Sequence, residues 1–392
     1  MVKRIGMNGD TAVAYAVKQA DVDVIAAYPI TPQTIIVEKL SEYVNNGELN
    51  AAYVPVESEH SALSACVGAS LAGARVFTAT ASQGLALMYE ILYIASSLRT
   101  TIVMALGNRA LSAPINIHCS HDDAYAARDA GWIQLFAENV QEAYDLTLQA
   151  FRISEDKNVL LPTIVNLDGF ILTHSLEGVN VFEDEDIAKF LPPKEPVQPI
   201  DPENPITYGP LGLFDSYIEF KKQQAEAMKA SYPHILQAFK EFKEFSGRSY
   251  KPIKTLGMED AEIAIMVLGS TAGTVREVVR KMREKGEKVG TISLTLYRPF
   301  PEEELKKVLK GVKVLAVMDR SYSFGSPGAQ LFMDVTATLI NMKEKPLIFN
   351  VIYGLGGRDL VPNHVLSIIE KAKEYAELGE VSEKEIWIGV RE

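Results

Sequence analysis

Val22-Asp23-Val24-Ile25-Ala26-Ala27-Tyr28-Pro29-Ile30-Thr31-Pro32-Gln33-Thr34 decides how this 392-residue chain folds. Its apolar run up to Tyr28 reads as a β-strand, and residues 34–43 read as an amphipathic helix. Between them two prolines bracket Ile30-Thr31. Proline fixes φ and restricts the residue before it, so Thr31 is held extended, in a defined direction, at the end of the strand. Working outward, the same unit repeats. Strands are expected at 51–56, 75–80, 101–106 and 159–165, with a small-residue helix at 58–72 and another helix at 84–97. Apolar strands alternating with helices imply a parallel sheet covered on both faces.

Residues 1–175 thus form a first unit, and residues 176–211 break the pattern. Seven prolines fall between Pro192 and Pro210, just after the acidic run Glu183-Asp184-Glu185-Asp186. Such a stretch suits neither a helix nor a central strand. It is expected to be an extended connector packed on a surface as a strap, with a long helix over 212–245 carrying Lys/Glu pairs. Together, 176–257 would attach to the first unit. The strand–helix alternation resumes over 258–392, with strands at 261–268, 289–294, 312–318 and 347–352 and an edge segment at 387–389. The fold class is therefore α/β, with two doubly wound domains.

Composition narrows the function. Hydrophobic residues at 47% and charged residues at 23% describe an ordinary globular protein. A net charge of −12 argues against a nucleic-acid partner. No apolar run approaches a membrane span, and Met1 to Asp10 lacks the apolar core of a signal peptide, so a cytoplasmic location is expected. The chain has two cysteines, Cys66 and Cys119. An iron–sulfur cluster normally takes about four cysteine ligands and a structural zinc about four Cys/His ligands, so no metal site of this chain's own is expected. His118-Cys119-Ser120-His121 reads as a polar loop. Gly269-Ser270-Thr271-Ala272-Gly273 and Gly354-Leu355-Gly356-Gly357-Arg358-Asp359 match neither G-x-G-x-x-G nor a P-loop, and read as turns.

Two segments carry more chemistry. Val56-Glu57-Ser58-Glu59-His60-Ser61 sets two carboxylates between a strand and a helix. One suits the helix dipole; the other, among Ala62, Leu63, Ala65 and Val67, would have a raised pKa unless paired. Gly107-Asn108-Arg109 puts an arginine just past a buried strand, at the sheet edge where open α/β sheets bind ligands. Its planar fork suits a carboxylate or phosphate, and an internal salt bridge is the competing role.

These motifs resemble the alpha subunit of the 2-oxoacid:ferredoxin oxidoreductases. The resemblance runs from Tyr28-Pro29-Ile30-Thr31-Pro32-Gln33-Thr34 and Val56 to Ala62, through Thr80-Ala81-Ser82-Gln83-Gly84-Leu85, to Asn108-Arg109-Ala110-Leu111-Ser112-Ala113-Pro114. It continues through Ala127-Arg128-Asp129-Ala130-Gly131-Trp132, Asp168-Gly169-Phe170 and His174. Tyr297-Arg298-Pro299-Phe300-Pro301 and Asp319-Arg320 extend it into the second domain, so that it covers essentially the whole chain. The stretch Ala110 to His118 is most similar to pyruvate-specific members.

The resemblance implies a thiamine-diphosphate pyrimidine-binding domain over 1–175 and a transketolase C-terminal-like domain over 258–392. It implies pyruvate, coenzyme A and ferredoxin as reaction partners, with acetyl-CoA and CO2 as products. Glu59 would be the catalytic glutamate at N1′ of the aminopyrimidine, with Ile30 a second cofactor contact. Arg109 and Thr31 would bind the substrate carboxylate, and Glu57 would be structural. The family's diphosphate module carries Gly-Asp-Gly, which this chain lacks, since Leu167 precedes Asp168-Gly169. Mg²⁺ and [4Fe-4S] clusters would accordingly sit on partner beta, gamma and delta subunits, with ferredoxin reached through them. Other readings are the same chemistry on branched-chain 2-oxoacids or 2-oxoglutarate, an assembly-only subunit, and a nucleotide-binding module without its fingerprint.

Overall fold

The computed structural model describes residues 3–391. Met1 and Val2, the start of the N-terminal stretch considered above, lie outside the described residues, as does Glu392. The chain begins β1 (Lys3–Met7), α1 (Gly9–Gln19), β2 (Val24–Ala27), α2 (Thr34–Asn45), β3 (Ala52–Pro55), α3 (Glu59–Leu71) and β4 (Val76–Thr80). It continues α4 (Ser82–Leu87), α5 (Tyr89–Ser97), β5 (Ile102–Asn108), α6 (Asp122–Ala126), β6 (Ile133–Phe136), α7 (Val140–Ser154), β7 (Thr163–Asp168) and β8 (Glu177–Val181). Then come α8 (Asp184–Phe190), α9 (Tyr217–Ser246), β9 (Ile253–Leu256), β10 (Ile263–Leu268), α10 (Thr271–Arg283), β11 (Val289–Leu294) and β12 (Leu296–Arg298). The remainder is α11 (Glu302–Val308), β13 (Val314–Asp319), α12 (Gln330–Leu339), β14 (Leu347–Ile352), α13 (Pro362–Leu378) and β15 (Glu385–Trp387).

Two large sheets result. The first has the order β12-β6-β7-β5-β4-β2-β3, parallel except for β12. The second runs β15-β14-β13-β10-β11-β9, parallel except for β9. Strands β4, β5 and β7 are buried along their whole length, as expected when helices cover both faces. On one face Val13, Ile36 and Leu148 of α1, α2 and α7 pack over Phe77, Val103 and Val165. The other face is continuous with the second sheet: Val76, Met104 and Ile164 join, through Trp132, Phe136 and Tyr297, to Met266, Ile292 and Val317. Trp132 is fully buried with its Nε1–H donating to the Leu92 carbonyl at 2.9 Å, so the large ring leaves no orphan donor.

Several elements depart from the sequence reading. The helix expected over 84–97 divides at Met88 into α4 and α5. The stretch read as connector from 176 contains β8, which pairs with β1, and α8. The acidic run supplies Asp184, Glu185 and Asp186 to the first turn of α8, where negative charge meets the positive helix end. The long helix starts at Tyr217 and ends on Gly247 at φ 74°. The proline-rich part lies along the end of α3: Pro196 and Pro199 flank Gly73, and Ile200 N–H donates to the Leu71 carbonyl at 2.8 Å.

Candidate active site at the carboxyl edge of the first sheet

Ser58 caps α3, its Oγ accepting from Ser61 N–H at 3.2 Å, and this places Glu59 as the first helical residue. The two neighbouring carboxylates part here. Glu57 is exposed and accepts a hydrogen bond from the Ser61 hydroxyl, which lowers its pKa. Glu59 is 7% exposed, and its carboxylate has no hydrogen-bond or ion-pair partner among the described residues. It faces Gly84 of α4, where a Cβ would lie 2.6 Å from Glu59 Oε1 and 2.4 Å from Thr80 Oγ1. Thr80 Oγ1 is itself buried without a partner. A carboxylate, an orphan hydroxyl and a glycine that clears the space between them suit a flat, polar-edged ring such as an aminopyrimidine.

Arg109 follows β5 and is 7% exposed. Its Nε donates to the Asn116 carbonyl at 2.9 Å and its Nη1 to the Thr31 carbonyl at 3.0 Å. No carboxylate among the described residues pairs with it, so the internal salt bridge weighed for this arginine is not what holds it. With Nε taken, Nη2 and the second N–H of Nη1 remain as a two-point donor for a carboxylate.

Thr31 is brought to the same arginine through its carbonyl while its side chain is exposed. The turn it sits in is fastened by buried Gln33, whose Nε2 donates to Tyr28 O at 2.9 Å and Ala79 O at 3.4 Å. Pro32 rests over the ends of β5 and β7, where Cβ atoms on Gly107 and Gly169 would come 3.3 and 3.0 Å from its Cγ. Ile30 stands half-buried in this turn.

Asp123, which the sequence reading did not single out, ties these pieces together. Its Oδ2 accepts from Arg109 N–H and from Ser82 N–H, both at 3.0 Å. Its Oδ1 accepts from Asn108 Nδ2 at 3.1 Å and from Ala124 N–H at 2.8 Å. Burial nonetheless pushes its carboxyl up to about 6, because four neutral donors do not replace water and no cation touches it. One side chain thus fixes the backbone on which Arg109 stands and the start of the helix that brings Gly84 to Glu59. Nothing in the pair Asp122-Asp123 marks this, since three of the four bonds are to main-chain groups.

The His118-Cys119-Ser120-His121 stretch is only partly the polar loop expected. His118 is exposed, but Cys119 and His121 are buried, and with Asp168 their ligand atoms lie within 4.8 Å of one another. A metal reading fails on charge. Arg320 Nη1 stands 3.4 Å from Cys119 Sγ and 2.9 Å from Asp168 Oδ2, a cation already in place. Asp168 also meets His121 Nε2 at 2.8 Å, Ser270 N–H at 3.0 Å and the Ser270 hydroxyl at 2.5 Å. The Gly269–Gly273 turn read from sequence is therefore a fastening between the two sheets.

Comparison with known proteins identifies the family. Residues 15–240 match the family model "Pyruvate flavodoxin/ferredoxin oxidoreductase, thiamine diP-bdg", and residues 261–365 match "Pyruvate:ferredoxin oxidoreductase core domain II". The pyruvate synthase subunit PorA of Thermotoga maritima is 49% identical, covering 100% of this chain and 99% of its own. That of Pyrococcus furiosus is 50% identical over 98% and 97%. The ketoisovalerate oxidoreductase subunit VorA of Pyrococcus horikoshii is 44% identical over 98% of each. Among solved structures, a 2-oxoglutarate:ferredoxin oxidoreductase from Magnetococcus marinus superposes with a TM-score of 0.70 at 20% identity, covering 95% of this chain and 65% of that one. At that identity the likeness speaks for the fold alone.

Proposed function

The chain belongs to the pyruvate flavodoxin/ferredoxin oxidoreductase family, and from that premise we propose that it is the subunit of a pyruvate:ferredoxin oxidoreductase that holds the pyrimidine of thiamine diphosphate and the carboxylate of pyruvate. The observation carrying this reading is a pair of withheld partners at one sheet edge: Glu59 with Thr80 beside Gly84, and Arg109 without a carboxylate. Asp123 fastens both to the same frame.

When bound, thiamine diphosphate would supply the electron sink for breaking the bond between the 2-oxo carbon and its carboxylate. Glu59 would share a proton with N1′ of the pyrimidine, its carboxylate being left without a partner from this chain. Arg109 orients the substrate through Nη2 and Nη1, and the exposed Thr31 hydroxyl donates to the same carboxylate, leaving the scissile bond free. Ile30 would pack against the ring. Mg²⁺, the diphosphate and the [4Fe-4S] clusters would be held by partner beta, gamma and delta subunits, because this chain has neither Gly-Asp-Gly nor more than two cysteines, both free and buried. Coenzyme A takes the acyl group and ferredoxin the electrons in that assembly.

The division we adopt is 1–175 as the pyrimidine-binding domain, 176–257 as strap and long helix, and 258–392 as the transketolase C-terminal-like domain. No helix among the described residues is long and apolar enough to cross a membrane, and we place the enzyme in the cytoplasm. The purified complex, given coenzyme A and a low-potential acceptor, is expected to oxidise pyruvate in preference to 2-oxoisovalerate and 2-oxoglutarate. The VorA relatives make the branched-chain acid the second reading, and preference for it would replace pyruvate. Turnover by the isolated chain would refute the half-site.

A further inference from the structure

The glycine-rich segment at 354–357 has no part in the chemistry above. It is built against the loop that carries Arg109. Gly356 has φ 60° and Gly357 φ 82°, and Cβ atoms there would lie 2.4 Å from Asn116 Nδ2 and 2.5 Å from His118 Cβ. Gly357 N–H donates to the Cys119 carbonyl at 2.9 Å and Gly356 N–H to Ser120 Oγ at 3.1 Å. Asn116 spans the contact. Its Nδ2 donates to the Gly356 carbonyl at 3.2 Å, its Oδ1 accepts from His118 N–H at 2.6 Å, and its main-chain carbonyl receives Arg109 Nε at 2.9 Å. Ala110 N–H, next to Arg109, closes the loop on the His118 carbonyl at 3.0 Å.

We infer that residues 354–357, the turn that follows β14 of the second sheet, are a template that positions Arg109 through Asn116. The inference rests on the role proposed for Arg109. Fixing the Asn116 carbonyl fixes the direction of Nε, and because the guanidinium is planar it fixes where Nη2 points. Side chains at 356 and 357 would push the loop away, which is why the template is made of glycine. The second domain thereby contributes to substrate binding without touching substrate, and Asn116 is a positioning residue.

The test uses the purified complex. Asn116→Ala is expected to raise KM for pyruvate about five- to tenfold, the scale of one ordinary hydrogen bond, with kcat changed less than about twofold and thiamine diphosphate affinity unchanged. Gly356→Ala should give the same split, and the double variant should be no worse than either single one, since both break one linkage. An unchanged KM in Asn116→Ala, or a parallel fall in kcat and cofactor affinity, overturns the template. Arg109→Ala is run alongside. If it impairs pyruvate use while the other variants do not, the template alone fails; if it leaves pyruvate use intact, the role of Arg109 fails and the template with it.

Discussion

Glu59 and Asp168 are both buried carboxylates at the carboxyl edge of one sheet, and their surroundings are opposite. Asp168 is surrounded by His121, Arg320 and both donors of Ser270. Burial alone would raise its pKa, but the charges of His121 and Arg320 and the hydrogen bonds outweigh it and hold the carboxyl well below the usual range. Glu59 has none of these. A carboxylate that the fold satisfies is a strut; one that the fold buries and leaves unsatisfied is kept for something outside the chain. Asp123 lies between the two, filled by N–H donors but facing no cation.

The sharpest break in this comparison is Glu59→Gln in the assembled complex. Turnover should fall by about 10²–10⁴, the range for a lost acid–base group, with the melting temperature unmoved. A variant that melted early at full activity would make Glu59 a strut too. Asp168→Ala should do the reverse and cost about 3–5 kcal/mol of stability in denaturant unfolding, because Arg320 is left buried and unpaired. Asp123 is tested by pH. Its raised pKa means the folded chain keeps a proton between about pH 4 and 6 that the unfolded chain has released. Stability therefore falls as pH rises through that window, by about 3 kcal/mol. Asp123→Asn, though less stable overall, should flatten that slope; an unchanged slope would remove Asp123 from its middle place. The smallest effect is expected of Arg109→Lys. The charge survives but the planar fork does not, so kcat/KM for pyruvate should drop about tenfold, and less than in Arg109→Ala.

Much of the fold could be read along the chain because β2, β4, β5 and β7 are apolar runs set between helical patterns. Strand β6, Ile133-Gln134-Leu135-Phe136, could not, being only four residues long with a glutamine among them. Its edge partner β12 lies some 160 residues further along. The knot at Cys119 and His121 looked like a polar loop for the same reason: Asp168 and Arg320 arrive from distant segments. Glu59, Arg109 and Thr31 stand out because their side chains make recurring motifs. Asp123, Gln33 and Asn116 do not, because each works mainly on main-chain atoms, which leave no mark in a string of letters.

Strand β12 closes the edge of the first sheet, with Phe136 N–H also donating to the Thr295 carbonyl at 2.8 Å. A ribosome making roughly 5–20 residues per second completes β7 on the order of ten seconds before it reaches β12. Throughout that interval the nascent chain carries β6 as an open, apolar sheet edge, the kind that templates association with neighbouring chains. Truncations ending before residue 296 should accordingly be recovered as aggregates, and productive synthesis should lean on a holding chaperone until the last quarter of the message is read.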